Sequence, residues 1–217
     1  MNYDEIIKRL HALADSTAVE GMARFGISST NTLGVSIPNL RQLARPIGRD
    51  HHLAQQLWDS GLHEGRILAA FVDDPAQVTD EQMERWVKDF DSWDVCDQVC
   101  SSLFDRTPMT YGKAAEWSGR PEEFVKRAGF ALMAALAWHD KKAADSAFEP
   151  FFALIEREAA DERNYVKKAV NWALRQMGKR SPYLNQRAIE TARTLQTMNS
   201  RAARWIAADA LRELTRK

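Results

Sequence analysis

The sequence predicts an all-α fold built from stacked antiparallel helix pairs. Apolar residues recur at helical spacing almost everywhere, as in Ile6, Ile7, Leu10 and Leu13, whereas strand-like alternation over five or more residues is hard to find. The helices that this spacing indicates are about 10 to 20 residues long, and only a few residues connect them. Short connections favour antiparallel neighbours over a bundle with long crossovers.

Helix boundaries are marked in order along the chain by capping residues, prolines and glycines. The predicted starts lie at Pro38 after "GVSI", at Thr79 with Gln82 three residues on, at Pro121 followed by Glu122 and Glu123, and at Ser181-Pro182. The predicted ends lie near Gly48, Gly61, Gly119 and Gly178.

An internal repeat strengthens the prediction of stacked pairs. "FVKRAGFALMAAL" from Phe124 and "YVKKAVNWALRQM" from Tyr165 match at an offset of 41 residues, which makes Arg127 and Lys168 equivalent. A period of roughly 40 to 47 residues is typical of HEAT and armadillo repeats. We therefore predict one domain over residues 1–217, a curved α-solenoid of HEAT-like helix pairs whose concave groove is lined by one helix of each repeat.

Composition indicates a folded chain outside the membrane. The 217 residues are 45% hydrophobic and 28% charged, which excludes a disordered chain, and no apolar run reaches the roughly 18 to 20 residues that span a bilayer. The start "MNYDEIIKRL" has Asp4 and Glu5 where a signal peptide is basic and then apolar. These features predict a cytoplasmic protein.

Metal, cofactor and disulfide chemistry find little support in the sequence. Cys96 and Cys100 lack the number and spacing of a disulfide framework or a zinc site, so reduced thiols are expected. His63-Glu64 and His139-Asp140 lack a second ligand at helical spacing. We predict no metal and no cofactor.

Charge is balanced overall but uneven along the chain. Lys+Arg and Asp+Glu number 30 each, yet residues 162–217 hold 13 basic against 4 acidic residues, a balance of +9. This basic quarter is either a face that binds a polyanion or a set of solvated helix surfaces.

Two helical stripes combine tryptophan with charge. Lys168, Trp172 and Arg175 stand at i, i+4 and i+7 and share one helix face. The two cations could bind phosphates, and the tryptophan ring could contact a sugar or base. Ordinary packing of the ring, with the charged ends of the basic side chains in solvent, explains Trp172 equally well. In "SWDVCDQVC", Trp93 and Asp97 stand at i and i+4, while Asp94 points elsewhere. The alternative for Asp97 is an exposed carboxylate paired with a lysine.

An ionised carboxylate in a basic groove fits one reaction in particular. Neighbouring cations would keep Asp97 ionised and make it a poor proton donor, but it could stabilise positive charge on a substrate or orient an attacking water. Cleavage of a glycosidic bond through an oxocarbenium-like state requires this, and the faces of Trp93 and Trp172 favour the same cation.

The ordered fragments "MARFG…TLGVSIPNLRQLA", "LWDSGLHEGRILAA", "SWDVCDQV", "VKRAGFALM" and "YVKKAVNWALRQMGK" resemble the AlkD-type DNA alkylation repair glycosylases over most of the chain. The resemblance implies a HEAT-like α-solenoid that binds duplex DNA and releases cationic N3- or N7-alkylated purines without a deep pocket for a flipped base. It implies that Asp97 is the catalytic carboxylate, that Trp93 and Trp172 pack against the damaged nucleotide, and that Arg127 and Arg175 are basic residues of the groove. Helical spacing adds Lys168 to this DNA-binding set.

Two positions depart from the family pattern. Phe25 follows "MAR" where the family often has a tyrosine, and Ile37 precedes Pro38 where a hydroxyl residue can occur, so two polar contacts to DNA are expected to be absent. We place Phe25 in the DNA-binding set by this match.

The sequence thus predicts a monomeric DNA glycosylase of base excision repair, with alkylated double-stranded DNA as its partner. Two other hypotheses stay open. One is a HEAT-repeat protein that binds damaged or branched DNA without catalysis, through phosphates and shape. The other is a protein-interaction scaffold that uses the stripes as binding hot spots.

Overall fold

The structure is a computed structural model that describes residues 1–216. Thirteen α-helices and two short 3-10 helices account for the secondary structure of these residues, and no strand is found among them. The predicted all-α class is therefore confirmed. The chain divides into two compact units, Met1–Thr107 and Pro108–Lys217, each of which is described by itself. The predicted single domain over residues 1–217 stays a prediction.

The first unit contains seven α-helices among the described residues. They are α1 (Tyr3–Ala12), α2 (Ser16–Ala23), α3 (Ile37–Ala44), α4 (His51–Asp59), α5 (His63–Val72), α6 (Asp80–Lys88) and α7 (Trp93–Ser102), followed by a 3-10 turn at Phe104–Arg106. Helix α5 packs against α3, α4 and α7, so α3, α5 and α7 form one row of neighbours.

Aromatic packing holds the first unit together. The rings of Trp58 and Trp86 are parallel with centroids 3.9 Å apart, and both side chains are fully buried. The Trp58 indole N–H donates to the Asp89 carboxylate at 2.8 Å, which satisfies its polar atom. Phe104 of the 3-10 turn lies 6.2 Å from Trp86 and extends this cluster toward the end of the unit.

The second unit contains six α-helices among the described residues. They are α8 (Thr110–Ser118), α9 (Glu123–His139), α10 (Glu149–Glu158), α11 (Asn164–Gly178), α12 (Pro182–Thr197) and α13 (Arg201–Leu214), with a 3-10 turn at Asp145–Ala147. Helix α11 packs against α9 and α13, whereas α10 packs against α8 and α12. Alternate helices thus form two rows, as expected for stacked helix pairs.

The predicted repeat corresponds to neighbouring helices of one row. Phe124 of α9 and Tyr165 of α11, which match at the offset of 41 residues, stack with ring centroids 5.5 Å apart. Arg127 Nη1 of α9 donates to the Tyr165 carbonyl oxygen of α11 at 2.6 Å. Equivalent positions of successive repeats therefore contact each other, because each unit of a repeat array packs on the next.

Several predicted helix boundaries are confirmed by capping contacts. Thr79 caps α6 by accepting the Gln82 N–H at 3.2 Å, and Ser181 caps α12, in which Pro182 is the first residue. Gly61, two residues after α4, has the left-handed φ of +68° that favours glycine.

Gly178 ends α11 for a reason that the sequence does not reveal. It is the last residue of α11 and is buried there. A Cβ at Gly178 would lie 2.8 Å from Leu214 of α13 and 2.9 Å from Ala188 of α12, so the glycine allows close helix packing. In the described residues, no helix has the length and apolar character needed to cross a membrane.

Candidate nucleic-acid interface

Helix α7 presents the predicted Trp93 and Asp97 on its less buried face. Val95, Cys96, Val99 and Cys100 form the buried face, whereas Trp93 and Asp97, one turn apart, are half-buried. The pair is therefore outside the packed core and retains access to solvent. Burial raises the pKa of the Cys100 thiol, with Cys96 beside it adding to the effect, so this thiol stays protonated and is a poor nucleophile.

The ring of Trp93 is held by the segment that follows α2. Its indole N–H donates to the Phe25 carbonyl oxygen at 3.1 Å. Phe25 itself is 71% exposed, which is unusual for a phenylalanine. Among the predicted site residues, Phe25 and Trp93 are thus directly joined.

Asp97 is bordered by polar contacts along α7. Its backbone carbonyl oxygen accepts the Ser101 hydroxyl at 2.6 Å, and the next residue, Gln98, accepts Arg41 Nη2 of α3 at 3.1 Å. Helix α3 therefore contributes a guanidinium to α7 at the residue that follows Asp97.

Asp94 has a structural task, in agreement with the prediction that it points away from the Trp93 and Asp97 pair. His63 Nε2 of α5 lies 2.9 Å from Asp94 Oδ2, and both side chains are largely buried. Burial lowers the pKa of His63, but the hydrogen bond and charge of Asp94, with Glu64 and Asp91, raise it above its ordinary value. Burial raises the pKa of Asp94, yet the contacts with His63 leave it lowered. Both shifts favour an ion pair that fixes the first turn of α7.

Glu64 anchors the loop that leads to α3. Its fully buried carboxylate accepts the backbone N–H groups of Leu33, Gly34 and Val35 at 2.9, 2.7 and 3.2 Å. Gly34 has a φ of +82°, and a Cβ there would lie 2.2 Å from the Asp15 carbonyl oxygen. His63 and Glu64, considered above as metal ligands, are thus engaged in holding α7 and this loop.

The second unit carries the other predicted stripe on α11. Lys168 is exposed, and Trp172 and Arg175 are half-buried, whereas Ala169, Val170, Ala173 and Leu174 are buried. Arg175 Nη1 lies 2.5 Å from Glu213 Oε2 and 3.6 Å from Asp209 Oδ2 of α13. The cation of Arg175 therefore already has carboxylate partners, and Lys168 is the more solvated cation of the stripe.

Arg127 differs from the other predicted DNA-binding residues because it is only 6% exposed. Its guanidinium donates to the Tyr165 carbonyl oxygen, as described above. At least part of its hydrogen-bonding capacity therefore connects α9 with α11. The role of Arg127 in DNA binding stays a prediction, as do the roles of Asp97, Trp93, Trp172, Phe25, Lys168 and Arg175.

Sequence reasoning missed a group of arginines in the first unit. Arg41, Arg45, Arg49 and Arg106 line one cavity of about 330 Å³, called here the arginine cavity. The signal available in the sequence was the spacing of Arg41, Arg45 and Arg49 at i, i+4 and i+8 in "LRQLARPIGR". Arg106 is separated from them by more than 50 residues and joins them only through the fold.

Paired helices in two rows, with tryptophan and cations on their less buried faces, define a HEAT-like repeat protein. The chain belongs to the DNA alkylation repair enzyme family, whose sequence profile matches residues 6–214. This match confirms the resemblance noted in the sequence. A search of curated proteins with the sequence gives no match.

A solved structure supports the fold assignment. It is a protein of a family related to the HEAT-like repeat DNA glycosylases, with affinity for branched DNA structures. The match covers 100% of this chain and 97% of that chain, with a TM-score of 0.82 and 18% sequence identity. At this identity the likeness establishes a shared HEAT-like helical fold.

Proposed function

We propose that this protein is a monofunctional DNA glycosylase that hydrolyses the N-glycosidic bond of cationic N3- or N7-alkylated purines in duplex DNA. The observation that carries the proposal is the pair of Trp93 and Asp97 on the accessible face of α7, in a chain of the DNA alkylation repair enzyme family. We further propose that the protein acts as a monomer in the cytoplasm, associated with the nucleoid when bound to DNA.

The chemistry suits a site that has a carboxylate but no general acid. An alkylated purine is already positively charged and leaves without protonation, so the barrier is lowered chiefly by stabilising the positive charge that develops on the sugar. In this proposal the Asp97 carboxylate supplies that stabilisation and orients the attacking water. The electron-rich ring face of Trp93 favours the same cation.

The cationic residues have a separate task in this proposal. Lys168, Arg127 and Arg175 contact phosphates, and the exposed Phe25 ring contacts the nucleotide near Trp93. Phosphate contacts fix the position of the duplex, whereas the charge and lability of the lesion determine which base is released. A deep pocket for a flipped base is not required in such a scheme.

The test is base release by the purified protein. Duplex DNA methylated with an alkylating agent is incubated with protein, and free 7-methylguanine and 3-methyladenine are measured by chromatography. Release of either base above the spontaneous rate supports the proposal. A protein that binds the methylated duplex and releases neither base refutes it.

A second candidate function is recognition of branched DNA without catalysis. The structure that shares this fold belongs to a protein with affinity for branched DNA, which favours this alternative. The two functions are separated by comparing the affinity for a four-way junction with that for a linear duplex of equal length, alongside the base-release assay. A strong preference for the junction without base release favours the second function.

A further inference from the structure

The arginine cavity lies near the C-terminal ends of α3, α5 and α7, the three helices of one row. Arg41 and Arg45 come from the last turn and the C-cap of α3, and Arg49 follows in the connection to α4. Phe71 of α5, Ser102 of α7 and Arg106 of the 3-10 turn also line it. Four guanidinium groups thus share a cavity of about 330 Å³, within the size range of sites that hold small ligands.

These four cations have few compensating carboxylates. No Asp or Glu is found among the described residues that line the arginine cavity. The Arg45 guanidinium makes no hydrogen bond or ion pair with any residue that the structure describes. Among the residues that the structure describes, Arg106 has an ion-pair contact only with Asp105, at 3.9 Å.

Two of the arginines are held in place by neutral groups. Arg41 lies 4.4 Å above the Phe71 ring and donates to Gln98, and Arg49 Nη1 donates to the Asp73 carbonyl oxygen. These neutral partners orient the two guanidinium groups, while Asp74, which is outside the lining of the arginine cavity, interacts electrostatically with Arg49. The negative ends of the helix dipoles here stabilise a cation at a surface site only modestly and do not require four of them.

We propose that the arginine cavity binds phosphate groups of a nucleic-acid strand. Planar guanidinium groups match phosphate oxygens in pairs, and a bound phosphate would offset the mutual repulsion of several of them around one cavity. Arg41 contacts Gln98, the residue that follows Asp97, so a bound phosphate would lie beside the helix that carries the candidate carboxylate. The inference rests on the proposed action on DNA and adds a phosphate site in the first unit.

The main experiment measures binding of an undamaged duplex oligonucleotide by fluorescence anisotropy at several salt concentrations. Arg45→Gln and Arg49→Gln, singly and together, remove charge from the arginine cavity. We expect the double variant to bind about tenfold more weakly, and the slope of log K against log salt to become shallower by about 0.9 for each phosphate that the variant no longer neutralises. Arg45→Lys should retain most of the slope because it retains the charge.

Arg85→Gln is the matched control. Arg85 is a partly exposed arginine of the same unit on α6, but it pairs with Asp59 at 3.0 Å and is outside the lining of the arginine cavity. It should leave affinity and salt slope close to those of the wild type. If the double variant, with a wild-type circular dichroism spectrum, behaves as Arg85→Gln does, the proposal is overturned.

A competition experiment with the wild-type protein identifies the source of the phosphate and does not depend on a variant that folds. In one titration, inorganic phosphate or pyrophosphate is added to the protein–duplex complex, and displacement of the duplex is measured. In a second titration, the same anions are added to the protein alone, and the arginine side-chain N–H signals are monitored by NMR spectroscopy. Displacement of the duplex, with shifts of these signals, supports the proposal. Shifts without displacement indicate a site for free phosphate and overturn the nucleic-acid assignment, as does a wild-type protein that binds no duplex.

The outcome is distinguishable from that of the proposed glycosylase activity. If the double variant binds duplex more weakly and the wild-type protein releases no methylated base, the phosphate site is supported and the glycosylase activity is refuted. If the wild-type protein releases methylated bases and the double variant binds duplex as tightly as the wild type, the glycosylase activity is supported and the phosphate site is refuted.

Discussion

The two units differ in how some of their basic side chains are grouped. In the second unit, several basic side chains of α9, α11 and α12 have a carboxylate partner, as Lys126 has in Glu158 at 2.5 Å and Arg187 in Glu149 at 3.2 Å. In the first unit, four arginines converge on one cavity whose described lining contains no carboxylate. The first unit thus groups four arginines at one cavity, although ion pairs such as that of Arg85 with Asp59 also occur in it.

This difference shows that a charge count along the sequence does not locate an electrostatic surface. Residues 162–217 have a balance of +9, but their partners include Glu149 and Asp161, which lie just before that range. Pairing between neighbouring residues and helices neutralises charge that the count assigns to a face. Residues 1–161, with a balance of −9, contain the arginine cavity. The local arrangement of charge, rather than its sum, determines where a polyanion is attracted.

The largest expected effect concerns Asp97 and tests whether base release, as distinct from DNA binding, depends on the first unit. Asp97→Asn keeps the shape of the side chain and removes its charge, so base release from methylated duplex should fall about 100- to 1000-fold, as for other single electrostatic groups. Duplex affinity should change little. Asp91→Asn is the control, since Asp91 is exposed and 3.6 Å from Arg66. Equal rates for Asp97→Asn and the wild type would remove Asp97 from the mechanism.

The next effect concerns a buried carboxylate that holds a loop of the first unit. Glu64→Ala leaves the N–H groups of Leu33, Gly34 and Val35 without their buried acceptor. An unsatisfied buried donor costs roughly 1 to 3 kcal/mol, so we expect a loss of about 3 kcal/mol in the free energy of unfolding. Urea denaturation measures it, with the exposed Glu81→Ala as control. A loss below about 1 kcal/mol would show that water replaces the carboxylate.

A smaller effect depends on pH through the pair of His63 and Asp94. The raised pKa of His63 means that its stabilising contribution is complete below the ordinary value of about 6.5 and is lost as pH rises through the folded-state pKa. The lowered pKa of Asp94 means that its contribution is complete above about 3.9 and is lost as pH falls through the folded-state pKa. The pair therefore stabilises the unit most between about pH 4 and 6.5.

The measurement is the free energy of unfolding against pH for the wild type and His63→Gln. The difference should be about 1.5 kcal/mol in that window, as for a hydrogen bond between charged groups, and should shrink above it. His52→Gln, at an exposed position of α4 outside the pair, is the control for the loss of a histidine. A difference that is constant from about pH 4 to 9 would exclude a protonated His63.

The features that the sequence predicts well are those that depend on neighbouring residues. The cap of α6 needs only Thr79 and Gln82, and the repeat that joins Phe124 to Tyr165 is visible as two similar segments. The Trp93 and Asp97 pair follows from helical spacing in the same way, and the structure places it on the accessible face of α7.

Features that depend on distant residues were not predictable by these means. The glycine at Gly178 is required by Leu214 and Ala188, and the partner of Arg175 is Glu213, 38 residues later. The arginine cavity unites Arg41 with Arg106 across three helices of one row and a 3-10 turn. Such contacts are fixed by tertiary packing, which periodicity and spacing do not encode.

The smallest expected effect compares the two kinds of arginine directly through stability. Arg175→Gln removes a cation that pairs with Glu213 and lies near Asp209, both partly buried, and should lower the free energy of unfolding by about 0.5 to 1 kcal/mol. Arg45→Gln removes a cation without a carboxylate partner in the described residues, so stability should change less than it does for Arg175→Gln. Thermal unfolding at low salt measures both. If Arg45→Gln destabilises as much as Arg175→Gln, the cavity cations are paired in solution, and the contrast between the two units fails.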